Sequence, residues 1–397
     1  MKILIINYEY PPIGGGGGFV TRDIVEQMSA MGHQITVVTS GYKGLPADET
    51  GKGIRVIRVP VFYRNKMEVA SNASMFSYLF SSISYCLAYF NTDSFDIINT
   101  HFAIPSGPTG YVLSKWFGIP NVLSIHGGDI FDPSKRASPH RTPVLSQTVR
   151  FMLNTASRLV AQSKNTRENA VHFYNIKKNI VIIPLGIRKP SYVKKKRSEF
   201  DLSDDDFVFC TIGRLIKRKN IDQALGIMSR LKENKKIKFV IIGDGPERNN
   251  LQGIIQSLDI EHNVRIMGNV SDEVKFQILD LSDCYLSTAL HEGFGLVFLE
   301  AMACGLPVVC HDNGGQTDFL IDGRTGFLTP VEDIEGTINR IQSIMHDEDM
   351  RERFRNFNQK QVESFYIPRC AEKYIDLFEQ TVRDAKERRN LETFAER

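Results

Sequence analysis

Two glutamates stand eight positions apart in "HEGFGLVFLEAMACGLPVV", residues 291 to 309: Glu292 in a glycine-flanked loop, Glu300 inside an apolar run. A buried carboxylate without a partner costs several kcal/mol, so something polar must meet Glu300. The hydroxyl pair of a ribose is one such partner. The loop glycines would also let backbone N–H groups approach a ligand at the start of the next helix. "GRLIKRKN" follows the strand-like "FVFCTI" and sets Arg214 and Lys219 just past a strand end. An arginine fork and a lysine point charge there suit a diphosphate, although Lys217 and Arg218 beside them leave ordinary solvated charge as the plainer reading. "YPPIGGGGGFVTRDIVEQM" places five glycines between the first strand and a helix, which permits close backbone approach and leaves helix N–H groups for phosphate. A homopolymer run has no distinctive spacing, so this is not the dinucleotide fingerprint, and a floppy loop is the alternative. "LSIHGGDI" puts His126 and Asp129 at another strand end; His101, in "INTHFAIPSG", is placed alike with a weaker case. No nucleophile elbow, P-loop or His/Cys/Asp cluster with metal-ligand spacing occurs, so no metal is expected.

These residues need strand ends to hold them. Continuous apolar runs alternate with helix-like stretches along the whole chain: "KILIINY", "HQITVVTS", "IRVIRVP", "FDIINTH", "PNVLSIHG", "SRLVAQS" and "NIVIIPLG", then "FVFCTIG", "KFVIIGDG", "VRIMGNV", "CYLSTAL", "LPVVCHD" and "TGFLTP". Such a rhythm implies α/β architecture with parallel sheets covered on both faces, here two doubly wound, Rossmann-like domains facing a cleft. The polar, aperiodic stretch near residues 187 to 206 reads as the seam. The expected organisation is a first domain over 1–188, a linker over 189–205, a second domain over 206–365 and a C-terminal helical segment over 366–397.

At 397 residues the chain is long enough for two cores. A net charge of only +3 argues against a nucleic-acid partner. The charge is uneven, however: residues 1–190 carry 20 basic and 11 acidic side chains, and the remainder 29 and 35. That suggests a first half facing something anionic, with solvated surface lysines as the alternative. The six scattered cysteines form no CxxC and read as buried thiols of a cytoplasmic protein. "MKILIINYEY" is too short in apolar residues for a signal peptide and fits a first strand. Residues 69–92 lack charge, but their serines and asparagines make a poor membrane span. Phe76, Phe80, Ile83, Leu87 and Phe90 recur at helical spacing, which predicts a helix partly buried through that stripe, with a lipid-contacting helix as the second reading.

Taken together these motifs resemble the family-4 retaining glycosyltransferases of the GT-B fold, over nearly the whole chain. The Glu292/Glu300 pair, the surrounding "HEGFGLVFLEAMACGLPVV", the following "GGQTDFLIDGRTGFL", "GRLIKRKN" and the glycine run carry the resemblance. It implies that Glu300 binds the ribose of a nucleotide-sugar and that Glu292 contacts the donor sugar. Backbone at Phe294, Gly295 and Leu296 would bind sugar hydroxyls and diphosphate, Arg214 and Lys219 the diphosphate, and backbone at Met267 and Gly268 the base. His126 would sit by the sugar, and Gly15, Gly16 and Gly17 would line the donor site, the register within the run staying open. Catalysis would be metal-independent and cofactor-free, the nucleotide-sugar being a co-substrate, with front-face retention and domain closure. The last helix, "YIPRCAEKYIDLFEQTVRDAKERRN", would cross back to the first domain.

The expected function is transfer of a hexose or N-acetylhexosamine, UDP-linked rather than GDP-mannose by a small margin, to a hydroxyl acceptor in bacterial surface polysaccharide or glycolipid assembly. A sugar, lipid-linked or phosphorylated acceptor and peripheral contact with the inner face of the membrane fit the basic first half, with Arg55, Arg58, Arg64 and Lys66 as the contacting charges, and the loop "DPSKRASPHRTPV". A phosphorylase or epimerase on the same fold, or a non-catalytic nucleotide-sugar-binding protein, are the alternatives.

Overall fold

A computed structural model of the chain describes residues 1–67, 70–133 and 138–395. The first residue of the charge-free segment, Val69, and positions 134–137 of the basic loop "DPSKRASPHRTPV" lie outside the described residues. The chain divides into two compact units, Met1–Ile187 with Tyr366–Arg397, and Arg188–Phe365.

The first unit carries β1 (Lys2–Asn7), β2 (Gln34–Ser40), β3 (Asp48–Gly51), β4 (Ile54–Val59), β5 (Ile97–His101), β6 (Asn121–Ile125), β7 (Arg158–Ala161) and β8 (Ile180–Ile182). Between them run α1 (Gly16–Ala30), α2 (Asn72–Tyr89), α3 (Gly107–Phe117), α4 (Pro143–Thr155) and α5 (Lys164–Tyr174). The sheet order is β3-β4-β2-β1-β5-β6-β7-β8. Every pairing is parallel except β3 with β4. The edge strand β3, "DETG", is exposed throughout and has no apolar alternation to announce it. Inside, Leu4, Ile6, Ile98 and Val38 are fully buried, each contributing about 1.5–3 kcal/mol by leaving water. From β1 the chain builds outward through β2 and β4, then crosses back to lay β5 on the other side. The switch point therefore falls between β1 and β5, where a doubly wound sheet opens a crevice beyond its carboxyl ends.

The second unit contains β9 (Phe207–Ile212), β10 (Ile237–Ile242), β11 (Val264–Gly268), β12 (Cys284–Ser287), β13 (Val308–His311) and β14 (Gly326–Thr329). Its helices are α6 (Ile221–Leu231), α7 (Arg248–Ser257), α8 (Asp272–Leu281), α9 (Leu296–Ala303), α10 (Ile334–His346) and α11 (Glu348–Val362). The order β11-β10-β9-β12-β13-β14 is wholly parallel and puts the switch point between β9 and β12. One core fills it, from Phe209 and Phe239 to Ile341 and Phe354. Within the polar stretch 189–205, Arg197 is fixed to this unit: it pairs with Asp283 at 2.8 Å and donates to the Asp206 carbonyl at 2.6 Å. The last helix, α12 (Ile367–Ala395), packs on α1 in the first unit, where Tyr374 and Phe378 are buried.

The helix expected within residues 69–92 forms, but only the far end of the expected stripe packs, Leu87 and Phe90 lying partly buried against the core. Phe76 and Phe80 are exposed, and the buried line is Ser74, Tyr78, Ser82 and Cys86. Small serines let the helix come close to the sheet, and partners satisfy their hydroxyls. Ser74 meets Tyr8 Oη at 2.7 Å, Tyr78 donates to the Val38 carbonyl at 3.0 Å, and Ser82 meets Thr109 at 2.8 Å. Among the described residues no helix is long and apolar enough to cross a membrane.

Candidate active site

The loops after β9 and β12 meet at the switch point of the second sheet. Leu290 N–H donates to the Arg218 carbonyl at 2.9 Å, and Thr288 Oγ1 to the Asn220 carbonyl at 2.7 Å. This brings Lys219 onto the Glu292 carboxylate as a close ion pair, with Arg218 Nη1 at 3.4 Å from its other oxygen. Burial pushes the Glu292 carboxyl up, but the charges of Lys219 and Arg218 outweigh it and hold the group below its ordinary value. Gly213, at φ +155°, allows this placement: a Cβ there would lie 2.8 Å from Lys219 Cε. Arg214, the other cation singled out in the sequence, is exposed and has no ion pair among the described residues. Arg218 was not singled out, because nothing in the run of three basic residues Lys217, Arg218 and Lys219 distinguishes the one facing inward.

Glu300 does have a protein partner. Its Oε1 lies 2.7 Å from Lys275 Nζ, and the two side chains are 17% and 15% exposed. Lys275, one turn into α8, also reaches Asp272 at 2.9 Å and lies over the Phe276 ring. Burial raises the Glu300 carboxyl above its ordinary value. Burial also works to lower the Lys275 ammonium, but the Glu300 charge prevails and raises it. The sequence marked Glu300 as needing company; it gave no reason to choose Lys275 from its neighbours.

Gly295 caps α9 at φ +90° with no side chain to take its first-turn amides, so the helix start at Leu296 is open to an anion. A Cβ at Gly295 would come within 2.5 Å of Phe298. Phe294 itself is buried against Phe319, ring centroids 5.1 Å apart, so only its backbone can face a ligand. Gly315 N–H donates to the Glu292 carbonyl at 2.7 Å, bracing the loop from behind. Met267 and Gly268 end β11, where Gly268 accepts from Gly243 N–H at 2.8 Å.

At the switch point of the first sheet the groups are mostly uncharged, apart from Glu9, whose carboxylate accepts from Gly15 N–H at 3.3 Å. α1 begins at Gly16 with Gly15 as its cap; side chains at Gly15 and Gly16 would meet nothing, whereas one at Gly17 would lie 2.9 Å from the Phe102 ring. His126 lies beyond β6, its ring centroid 4.5 Å from that of Phe102. Phe102 itself holds a left-handed φ of +73°, a strained conformation for a bulky residue and of the kind that collects at functional sites. His101, the less favoured histidine, contacts His126 directly: its Nδ1 is 2.9 Å from His126 Nε2. Asp129 does not face outward. It accepts from Ala103 N–H at 2.7 Å and His126 N–H at 2.9 Å, and burial pushes its carboxyl up to about 6. It is a clasp for two loops. Nor do the four basic residues expected to contact an acceptor or membrane form an open patch. Arg55 pairs with Asp48 and Arg58 with Glu49, and Arg64 is buried over the Tyr8 ring, leaving Lys66 exposed.

Comparison with known proteins bears on the family and the fold. Residues 193–361 match the family model for glycosyl transferases group 1, and residues 14–189 that for Glycosyltransferase Family 4. The N-acetyl-alpha-D-glucosaminyl L-malate synthase of Bacillus anthracis is 28% identical, with 96% of each chain covered. The sucrose-phosphate synthase of Thermosynechococcus elongatus superposes with a TM-score of 0.81 at 20% identity, covering 96% of this chain and 98% of that one. HepE of Anabaena, solved with UDP-glucose, gives a TM-score of 0.76 at 18% identity, covering 96% and 100%. The two family models between them take in most of the sequence, and the chain belongs to the family-4, group 1 glycosyltransferases of the GT-B fold.

Proposed function

We propose that the protein is a nucleotide-sugar-dependent, retaining glycosyltransferase that moves a hexose or N-acetylhexosamine to a hydroxyl acceptor. The observation that carries this reading is the cationic, glycine-capped site at the second switch point: Lys219, Arg218 and Arg214 after β9 beside the uncapped start of α9 after β12. Such a site suits a diphosphate through point charge, guanidinium fork and backbone N–H together. As the bond from the anomeric carbon to the diphosphate oxygen breaks, Arg214, Lys219 and α9 take up the developing charge, doing what a metal does elsewhere. The departing oxygen accepts the proton of the acceptor hydroxyl, whose oxygen bonds to the anomeric carbon on the same face. No enzyme carboxylate acts as nucleophile and no cofactor takes part. Glu292 keeps Lys219 in place and reads the sugar, and Glu300 exchanges part of its contact with Lys275 for ribose hydroxyls. The glycine run and His126 serve the ligand side of the first unit.

UDP is favoured as the carrier, in keeping with the UDP-glucose bound by HepE. A role in bacterial glycolipid or polysaccharide assembly at the inner face of the membrane suits the exposed aromatic residues Phe62, Tyr63, Phe76 and Phe80, which resemble an interfacial anchor. Calorimetric titration with UDP, GDP, ADP and TDP in the absence of added metal tests the donor site. One nucleotide should bind, and Arg214→Ala and Glu300→Ala should weaken it; no binding by any of the four would refute the reading. Vesicle flotation of Phe76→Ser/Phe80→Ser tests the surface separately, and flotation equal to wild type would remove the membrane contact.

A further inference from the structure

His101 closes β5 and His126 follows the neighbouring β6, so adjacent parallel strands deliver the two imidazoles side by side. His101 Nδ1 lies 2.9 Å from His126 Nε2 and 3.4 Å from Thr21 Oγ1 on α1. The Thr21 hydroxyl donates its one proton to the Gly17 carbonyl at 2.8 Å, so it can turn only lone pairs toward His101. Burial holds both imidazoles neutral near pH 7, lowering His126 to about 4 and His101 well below its ordinary value. A neutral imidazole has one N–H and one bare nitrogen. With the proton on His101 Nδ1, that donor faces two acceptors, Thr21 Oγ1 and His126 Nε2, and all three groups are satisfied. The reverse assignment sets a bare Nδ1 against a hydroxyl lone pair. His126 Nε2 therefore accepts, and the proton of His126 must sit on its Nδ1. Among the described residues that nitrogen is buried with no partner at hydrogen-bond geometry, the nearby Gln162 side chain donating to the His126 carbonyl at 2.6 Å, and it lies 4.0 Å from where a side chain on Gly17 would begin. An unmet buried donor costs about 1–3 kcal/mol, which a ligand oxygen could recover. The open space beside Gly15 and Gly16 leaves room for one.

We propose that His101 is a positioning residue: it fixes His126 in the Nδ1–H tautomer, so that a hydrogen-bond donor faces the glycine run and takes a hydroxyl or phosphoryl oxygen of the bound substrate. Thr21 sets the orientation of His101 in turn. The inference rests on the reading above that His126 contacts a ligand, and its consequences separate from that reading. Nitrogen NMR of the full chain carrying labelled histidine distinguishes the two tautomers directly. His126 should appear with Nδ1 protonated and Nε2 bare. His101→Leu removes the donor and should move His126 toward its Nε2–H form, with turnover falling about tenfold for one hydrogen bond lost near the reacting groups. His101→Asn keeps an N–H near the position of Nδ1 and should restore the tautomer and most of the turnover relative to His101→Leu. An Nε2–H His126 in the wild-type protein overturns the proposal, as does a His101→Leu protein with unaltered tautomer or turnover. So does a folded His101→Asn protein that behaves like His101→Leu. Undiminished turnover in His126→Phe would instead remove the ligand-contact reading beneath it, whatever the tautomer.

Discussion

The two sheets open at equivalent switch points, and the loops there are made of opposite materials. After β9 and β12 the side chains are charged and arranged in buried or half-buried pairs, Lys219 and Arg218 with Glu292, and Lys275 with Glu300. After β1, β5 and β6 they are mostly neutral: glycines, Phe102 and two uncharged imidazoles, with the Asp129 and Glu9 carboxylates turned onto backbone N–H groups. Charge is worth most where water is scarce and a charged ligand completes the pairing. Hydrogen bonding without charge suits a ligand region that must recognise direction and not sign. The difference also corrects the inference from bulk charge. The first half is the more basic in composition, yet Arg55 and Arg58 are neutralised by Asp48 and Glu49, and the cations best placed for a diphosphate belong to the second half.

The contrast can be broken most sharply at Lys219. Lys219→Met should lower turnover by about 10²–10³-fold, the usual cost of one charge-stabilising donor, measured as kcat with saturating donor. Turnover within a few-fold of wild type would mean that the charged site does not carry the chemistry. Arg214→Ala should lose activity without losing stability, because the side chain is exposed and has no ion pair among the described residues.

The Lys275–Glu300 pair gives the next largest effect. Lys275→Met leaves a buried carboxylate uncompensated and should cost roughly 3–5 kcal/mol, read as a lower Tm by scanning calorimetry. Adding Glu300→Leu should recover most of the loss, since a well-packed apolar pair can replace a buried ionic one. Equal Tm values for single and double variants would show that the pair is not coupled.

For the neutral site the sharpening variable is pH. An unfolded histidine takes up its proton around 6.5, whereas folded His126 resists until about 4, and His101 is lowered too. At these two histidines the unfolded state therefore binds more protons in this window, and the stability they contribute above about pH 6.5 is lost as pH falls toward 4, with the raised Asp129 carboxyl opposing the loss in part. Denaturant titrations of wild type and His126→Phe across that range should show a shallower decline in the variant. The smallest effects belong to α2. Tyr78→Phe should cost about 1 kcal/mol through its lost bond to the Val38 carbonyl, and Phe76→Ser should stay within about 0.5 kcal/mol. A larger loss at Phe76 than at Tyr78 would reverse the orientation of the helix.

Much of this molecule was legible in its amino-acid order. Among the described residues, 13 of the 14 strands coincide with the strand-like runs, because a strand buried on both faces is apolar over most of its length. β3 escaped, being a polar edge. Glycines between strand and helix marked the loops at Gly17 and Gly295, since close approach and positive φ are local demands that few residues meet. What the sequence could not supply was partnership. Lys275 and Glu300 lie 25 positions apart on separate helices, and His101 meets His126 only because β5 and β6 are neighbours. Helix α2 is the plainest case. Its periodicity named an apolar stripe, but the sheet took the serine and tyrosine line instead, where small volume allowed close packing and Tyr8, Val38 and Thr109 satisfied the hydroxyls. Hydrophobic period is a property of one segment and can be read along the chain. Which polar group meets which depends on strand order and helix rotation, and those exist only once the chain has folded.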